Sequence, residues 1–95
     1  MQNIAEDQVI INLKAVALQE PKNAENHCNL AIALAERGDV AGAIDSYRAA
    51  IQIEPNHLAA SSNLGSIYRS MGNFEEAFNI FKKIVDVFPN DISAY

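Results

Sequence analysis

Among the side chains able to do chemistry, two asparagines are set apart by their spacing: Asn29 and Asn63 lie 34 residues from each other. A primary amide presents both donors and an acceptor, so one recurring at a fixed interval can pair with the N–H and C=O of an extended backbone. The other reading is that each amide bonds backbone in its own neighbourhood. His27, Cys28 and His57 are the remaining candidates for ligation or nucleophilic chemistry. Zinc needs three or four converging ligands, whereas His27 and Cys28 are adjacent and point to different faces of a helix. His57 falls in another part of the pattern. His27 therefore reads as a packing residue and His57 as a turn residue, with no metal expected. The carboxylate pairs Glu6–Asp7 and Glu75–Glu76 fall at the starts of predicted helices, where negative charge complements the helix dipole. No glycine-rich phosphate loop, nucleophile elbow or zinc spacing occurs. Neither a catalytic residue nor a cofactor is expected.

The elements that hold these residues follow from one period. Pro21, Pro55 and Pro89 are each 34 residues apart, and so are Gly38 and Gly72. The same shift carries Leu30 onto Leu64, Ala43 onto Ala77 and Asn56 onto Asn90. It also matches like with like: Ala31 with Gly65, Tyr47 with Phe81, Ala50 with Ile84 and Ile51 with Val85. Turn-formers and apolar residues sharing one period make that period structural. Within each period, His27, Leu30, Ala31 and Leu34 recur at the spacing of one helix face, as do Ser61, Leu64, Gly65 and Tyr68. Gly38 and Gly72 supply the left-handed residue that commonly ends a helix. Asp39 and Asn73 follow as N-cap candidates, and Asn73 with Glu76 forms an asparagine version of the capping box. Second helices carry Ala43, Tyr47, Ala50 and Ile51, then Ala77, Phe81, Ile84 and Val85; Pro55 and Pro89 end them. Small residues at 31, 43, 65 and 77 let helices approach, and Leu34, Tyr47, Tyr68 and Phe81 fill the space beside them.

The runs NLAIALAERGDVAGAIDSYRAAIQIEPN and NLGSIYRSMGNFEEAFNIFKKIVDVFPN resemble tetratricopeptide repeats. The resemblance covers two units, 24–57 and 58–91. His27 and Ser61 stand where that family often has a large aromatic, and Ala31 replaces its commoner glycine. It implies an all-α fold, a right-handed superhelix of antiparallel helical hairpins with about five helices. Read back by one period, residues 3–19 look like the second helix of a preceding unit, with Val9, Leu13, Val16 and Ala17 where Ala43, Tyr47, Ala50 and Ile51 fall later. Residues 92–95 look like the start of a truncated repeat. The whole of 1–95 is then a single domain, read as a segment of a longer solenoid rather than a small protein with an odd cap helix.

In the family the first helix of each unit lines a concave groove. That face holds Glu25, Cys28, Asn29, Ile32, Ala35 and Glu36 in one unit. In the next it holds Ala59, Ser62, Asn63, Ser66, Arg69 and Ser70. The recurrent asparagine is similar to the ladder in the repeat region of O-linked N-acetylglucosamine transferases. Cys28 reads there as a small filler with an accessible thiol. Family members that clamp acidic tails use lysine and arginine on this face; Arg69 beside Glu25 and Glu36 does not suit that mode. A partially apolar, extended or helical peptide suits it better.

Composition narrows the partners. Seven basic against twelve acidic residues give a net charge of −5, a poor match for phosphate backbones or anionic membranes, so neither nucleic acid nor membrane is expected. No stretch approaches the roughly 18 apolar residues of a membrane helix, and Met1–Asp7 carries no basic residue of a secretory signal. The single cysteine leans towards a reducing, cytoplasmic setting. The expected function is a non-enzymatic protein–protein interaction scaffold that binds a partner's peptide segment. The alternatives are the substrate-recruiting region of a larger enzyme, such as a glycosyltransferase, and a self-assembly module. The last rests on Phe81, Ile84, Val85 and Phe88, expected as an open apolar end favouring homo-oligomers.

Overall fold

A computed structural model describes residues 4–88, the side chains of residues 4–7 excepted. Expectations touching Asn3, the Glu6–Asp7 side chains, Pro89 and residues 90–95 lie outside the described residues. The described chain forms five helices: α1 (Ile4–Gln19), α2 (Ala24–Glu36), α3 (Val40–Ile53), α4 (Leu58–Ser70) and α5 (Phe74–Val87). Successive helices pack on one another, α2 on α3 and α4 on α5 most extensively.

The turns explain the packing. After α2, Gly38 adopts a φ of 85°, the Gly38 N–H donates to Ala35 O and the Asp39 N–H to Leu34 O. After α4, Gly72 repeats this at 84°, with the Gly72 N–H donating to Arg69 O and the Asn73 N–H to Tyr68 O. Both are Schellman ends, which satisfy the last carbonyls and reverse the chain within two or three residues. Asn23 caps α2 and Asp39 caps α3, their side chains accepting from the N–H groups of Asn26 and Gly42. The capping box expected at Asn73 is not formed: no side-chain cap bond is made there. The start of α5 rests instead on the Glu75 and Glu76 charges in its first turn.

The core is built from the small residues of the period. Ala31, Ala43, Ala50 and Ala60 are fully buried, and Leu30, Leu34, Tyr47 and Leu64 fill around them. At Gly65 the approach is closer still: a Cβ there would lie 2.8 Å from the Phe81 Cζ. The helix α1 departs from its later counterparts. Val9 and Val16 are 42% and 40% exposed where Ala43 and Ala50 are sealed. No helix precedes α1 among the described residues to cover them, so only Ala17 is buried, with Ile10 and Leu13 packed against the core.

Candidate functional site

The first helices α2 and α4 are linked at their N-terminal ends by one side-chain contact. His57 is the N-cap of α4: its Nδ1 accepts from the Ala60 N–H at 3.1 Å. Its Nε2 lies 3.1 Å from Oε1 of Glu25 in the first turn of α2. Both contacts are satisfied together by the neutral ring with its proton on Nε2, donating to Glu25. Sequence reading gave His57 only a turn role; histidine is not among the preferred capping types, so no local signal marked it.

Between these two helices Tyr47 rises from α3. Burial pushes its hydroxyl above the ordinary value, the Asn63 amide lowers it by hydrogen bonding, and Cys28 and Glu36 raise it further. Asn63 is half-buried and near enough to Tyr47 to act on its hydroxyl, while Asn29, one period earlier, is exposed. The difference lies in the partner. The position preceding Tyr47 by one period is Leu13, which has no hydroxyl.

The other groove candidates separate by exposure. On α2, Glu25, Asn29, Ile32 and Glu36 are exposed, and on α4 so are Ala59 and Arg69. Ser62, Asn63 and Ser66 are half-buried. Cys28 departs from the expectation of an accessible thiol: it is only 2% exposed, and burial followed by the Glu25 charge raises it above its ordinary value. The cause is the Tyr47 ring and the neighbouring helices, which close over a side chain one residue from the open edge. Arg69 is also partly committed, with its guanidinium carbon 5.8 Å from the centre of the Phe81 ring, a cation–π distance.

The expected apolar end is redistributed. Ile84 is buried at 4% exposure, and Phe81, Val85 and Phe88 are half-buried. Phe81 is drawn in because Gly65 leaves room for its ring. Phe74 and Phe78, at 67% and 65%, are exposed in their place.

Another face of α4 holds a cleft that sequence reading missed. It encloses about 370 Å³ between α3 and α5, with Ser61 and Leu64 on its floor. Ile51 lines one wall and Ile80 and Ile84 the other, and Arg48, Glu76 and Lys83 stand at the edges. Ser61 is a buried polar side chain, 9% exposed. A small residue where His27 stands one period earlier was the available signal. Among the described residues, no group of three or more His, Cys, Asp or Glu is placed to hold a metal, and no helix is long and apolar enough to cross a membrane.

A family model described as tetratricopeptide repeat matches residues 34–95. No curated protein matches the chain. Among solved structures, a crystal structure of MamA is 28% identical with a TM-score of 0.85, covering 95% of this chain and 53% of that one. MamA 41-end from Desulfovibrio magneticus RS-1 is 27% identical with a TM-score of 0.83, covering 95% and 51%. YrrB, described as a TPR protein with an unusual peptide-binding site, is 22% identical with a TM-score of 0.82, covering 94% and 46%. The last likeness is one of fold alone. The chain spans about half the length of these structures.

Proposed function

This chain belongs to the tetratricopeptide repeat family, and on that premise we propose that it is a non-catalytic scaffold holding a peptide segment of a partner protein along α2 and α4. The family typically mediates protein–protein interaction. The observation that carries the finer reading is the uncovered edge of α2. Asn29 and Ile32, a hydrogen-bonding amide and an apolar side chain one turn apart, stand exposed beside acidic Glu25 and Glu36. Across from them α4 offers Ala59, Ser62, Asn63, Ser66 and Arg69. Small polar groups around one apolar contact suit main-chain recognition more than a charged tail. YrrB, of the same fold, is described as binding a peptide. The binding units in this reading are 24–57 and 58–91, preceded by the helix Ile4–Gln19. We place the protein in the cytoplasm on the strength of its single thiol, which has no second cysteine to pair with.

Peptides selected against the whole chain from a display library test the groove. Binding lost on Asn29→Ala and Ile32→Glu, with helicity and melting unchanged, supports it. Binding indifferent to both substitutions overturns it.

A second reading, self-association, is favoured by Phe74 and Phe78. Ile44, one period before Phe78, packs against the core, whereas Phe78 has no later helix over it among the described residues.

A further inference from the structure

The repeat makes a recess at this junction twice, and the two differ in their walls. One period before the cleft between α3 and α5, a more open recess of about 600 Å³ is lined by Pro21, Lys22, Ala24 and Glu54, in the places of Pro55, Asn56, Leu58 and Phe88. One period earlier, the same junction presents Ala17 for Ile51, Ser46 for Ile80 and Ala49 for Lys83. The position of Ser61 is there taken by His27, whose Nε2 bonds the carbonyl of Pro21 at 2.9 Å, and the recess beside that turn is lined by polar and charged residues, Glu20, Lys22, Asn23 and Glu54 among them. At the later junction Ser61 is too small to reach across, and the space beside Pro55 stays open. The result is an apolar slot at the lower end of the volumes typical of ligand sites.

Its edges are charged unevenly. Arg48 on α3 and Lys83 on α5 occupy neighbouring places in the 34-residue frame, and both line the cleft from different helices. Among the described residues neither forms an ion pair; the two ion pairs are His57–Glu25 and Lys82–Asp86. Glu76 lies seven residues before Lys83, about 10 Å along the helix, towards the other end. In a chain with a net charge of −5, two cations framing an apolar slot select for an acidic ligand beside it.

We propose that this cleft binds an acidic peptide segment of a partner protein, seating one large aromatic side chain over Ser61 and setting a neighbouring carboxylate between Arg48 and Lys83. The site lies on a different face of α4 from Ser62 and Ser66, and its occupancy does not depend on the α2–α4 groove. The aromatic ring supplies the apolar area that Ser61 does not. The carboxylate supplies counter-charge to two cations whose side chains are exposed.

The chain contains no tryptophan, so the emission of a short peptide with one tryptophan flanked by aspartates reports its own burial. Titrated with the full chain, that peptide is expected to shift to the blue and saturate. Arg48→Glu with Lys83→Glu, both surface changes, should weaken binding by roughly tenfold or more. Ser61→Phe should fill the slot and abolish it. The same peptide with lysines for aspartates should bind correspondingly worse. Absence of saturable binding to the unmodified chain overturns the proposal. So does binding that survives the charge reversals and Ser61→Phe but falls with Asn29→Ala, since that places the peptide in the groove instead.

Discussion

Asn29 and Asn63 share a place in the period but not an environment, and this divides their roles. Asn63 is half-buried beside the Tyr47 hydroxyl, so Asn63→Ala should cost about 1 kcal/mol of stability, the size of one net hydrogen bond. Asn29 is exposed, and Asn29→Ala should change stability by less than about 0.5 kcal/mol. Equilibrium urea unfolding of the two variants makes the comparison; equal losses would mean that both amides are structural. Cys28 and Tyr47 give a second prediction. Burial raises both above their ordinary values of 9.0 and 10.0. A raised acid keeps its proton longer in the folded chain, so the stability it contributes is complete below the ordinary value and lost as pH rises through the folded one. Melting temperature should hold between pH 7 and about 9 and fall beyond it, as the two groups ionise more readily in the unfolded chain. A thiol reagent at neutral pH should label Cys28 slowly in the folded chain and rapidly in urea.

Helix ends and crossings carry the next scale. Gly38 and Gly72 close α2 and α4 with φ values of 85° and 84°, and an added Cβ at either meets nothing within 4 Å. Space is therefore irrelevant to their replacement and backbone strain decides it. Gly38→Ala and Gly72→Ala should each destabilise by about 1–2 kcal/mol. Gly65 is the opposite case: its backbone is helical, and the Phe81 ring fills the place of a side chain. Gly65→Leu should overpack the α4–α5 crossing and cost about 1–3 kcal/mol. Gly65→Ala should stay closer to the parent, because gained helix propensity offsets a small displacement of a half-exposed ring. Chemical denaturation of the four variants separates strain from crowding. His57→Ala removes both the α4 cap and the link to Glu25; a loss of about 1 kcal/mol is expected, with His57→Asn recovering the cap portion.

At the scale of the whole molecule, the helices form an elongated stack of about 43 × 28 × 18 Å. Stacks of this kind bury each unit against its neighbour only, so an uncovered unit leaves apolar surface open. Among the described residues Phe74 and Phe78 are that surface at the α5 end, as Val9 and Val16 are on α1. Sedimentation across a wide concentration range should show association, reversed by Phe74→Ser with Phe78→Ser and indifferent to changes at the buried Ile84 that preserve folding. A monomer at every concentration would exclude this face as a contact between copies.

The 34-residue spacing of prolines, glycines and alanines was enough to determine the helices, their order and most of the core, because each repeat states the same local rules twice. Helix ends at Gly38 and Gly72 were legible for the same reason: only a residue without Cβ takes that backbone conformation cheaply. What lay beyond the sequence was how near each side chain comes to an element distant along the chain. Periodicity assigns a residue to a helix face, but a face is a sector some tens of degrees wide, and Cys28 falls on its inner border. Whether Asn63 meets a hydroxyl depends on α3, whether Phe81 is buried depends on a glycine in α4, and whether Ser61 leaves a void depends on walls from two other helices. Burial and cavities are properties of several elements together, so only the tertiary structure decided them.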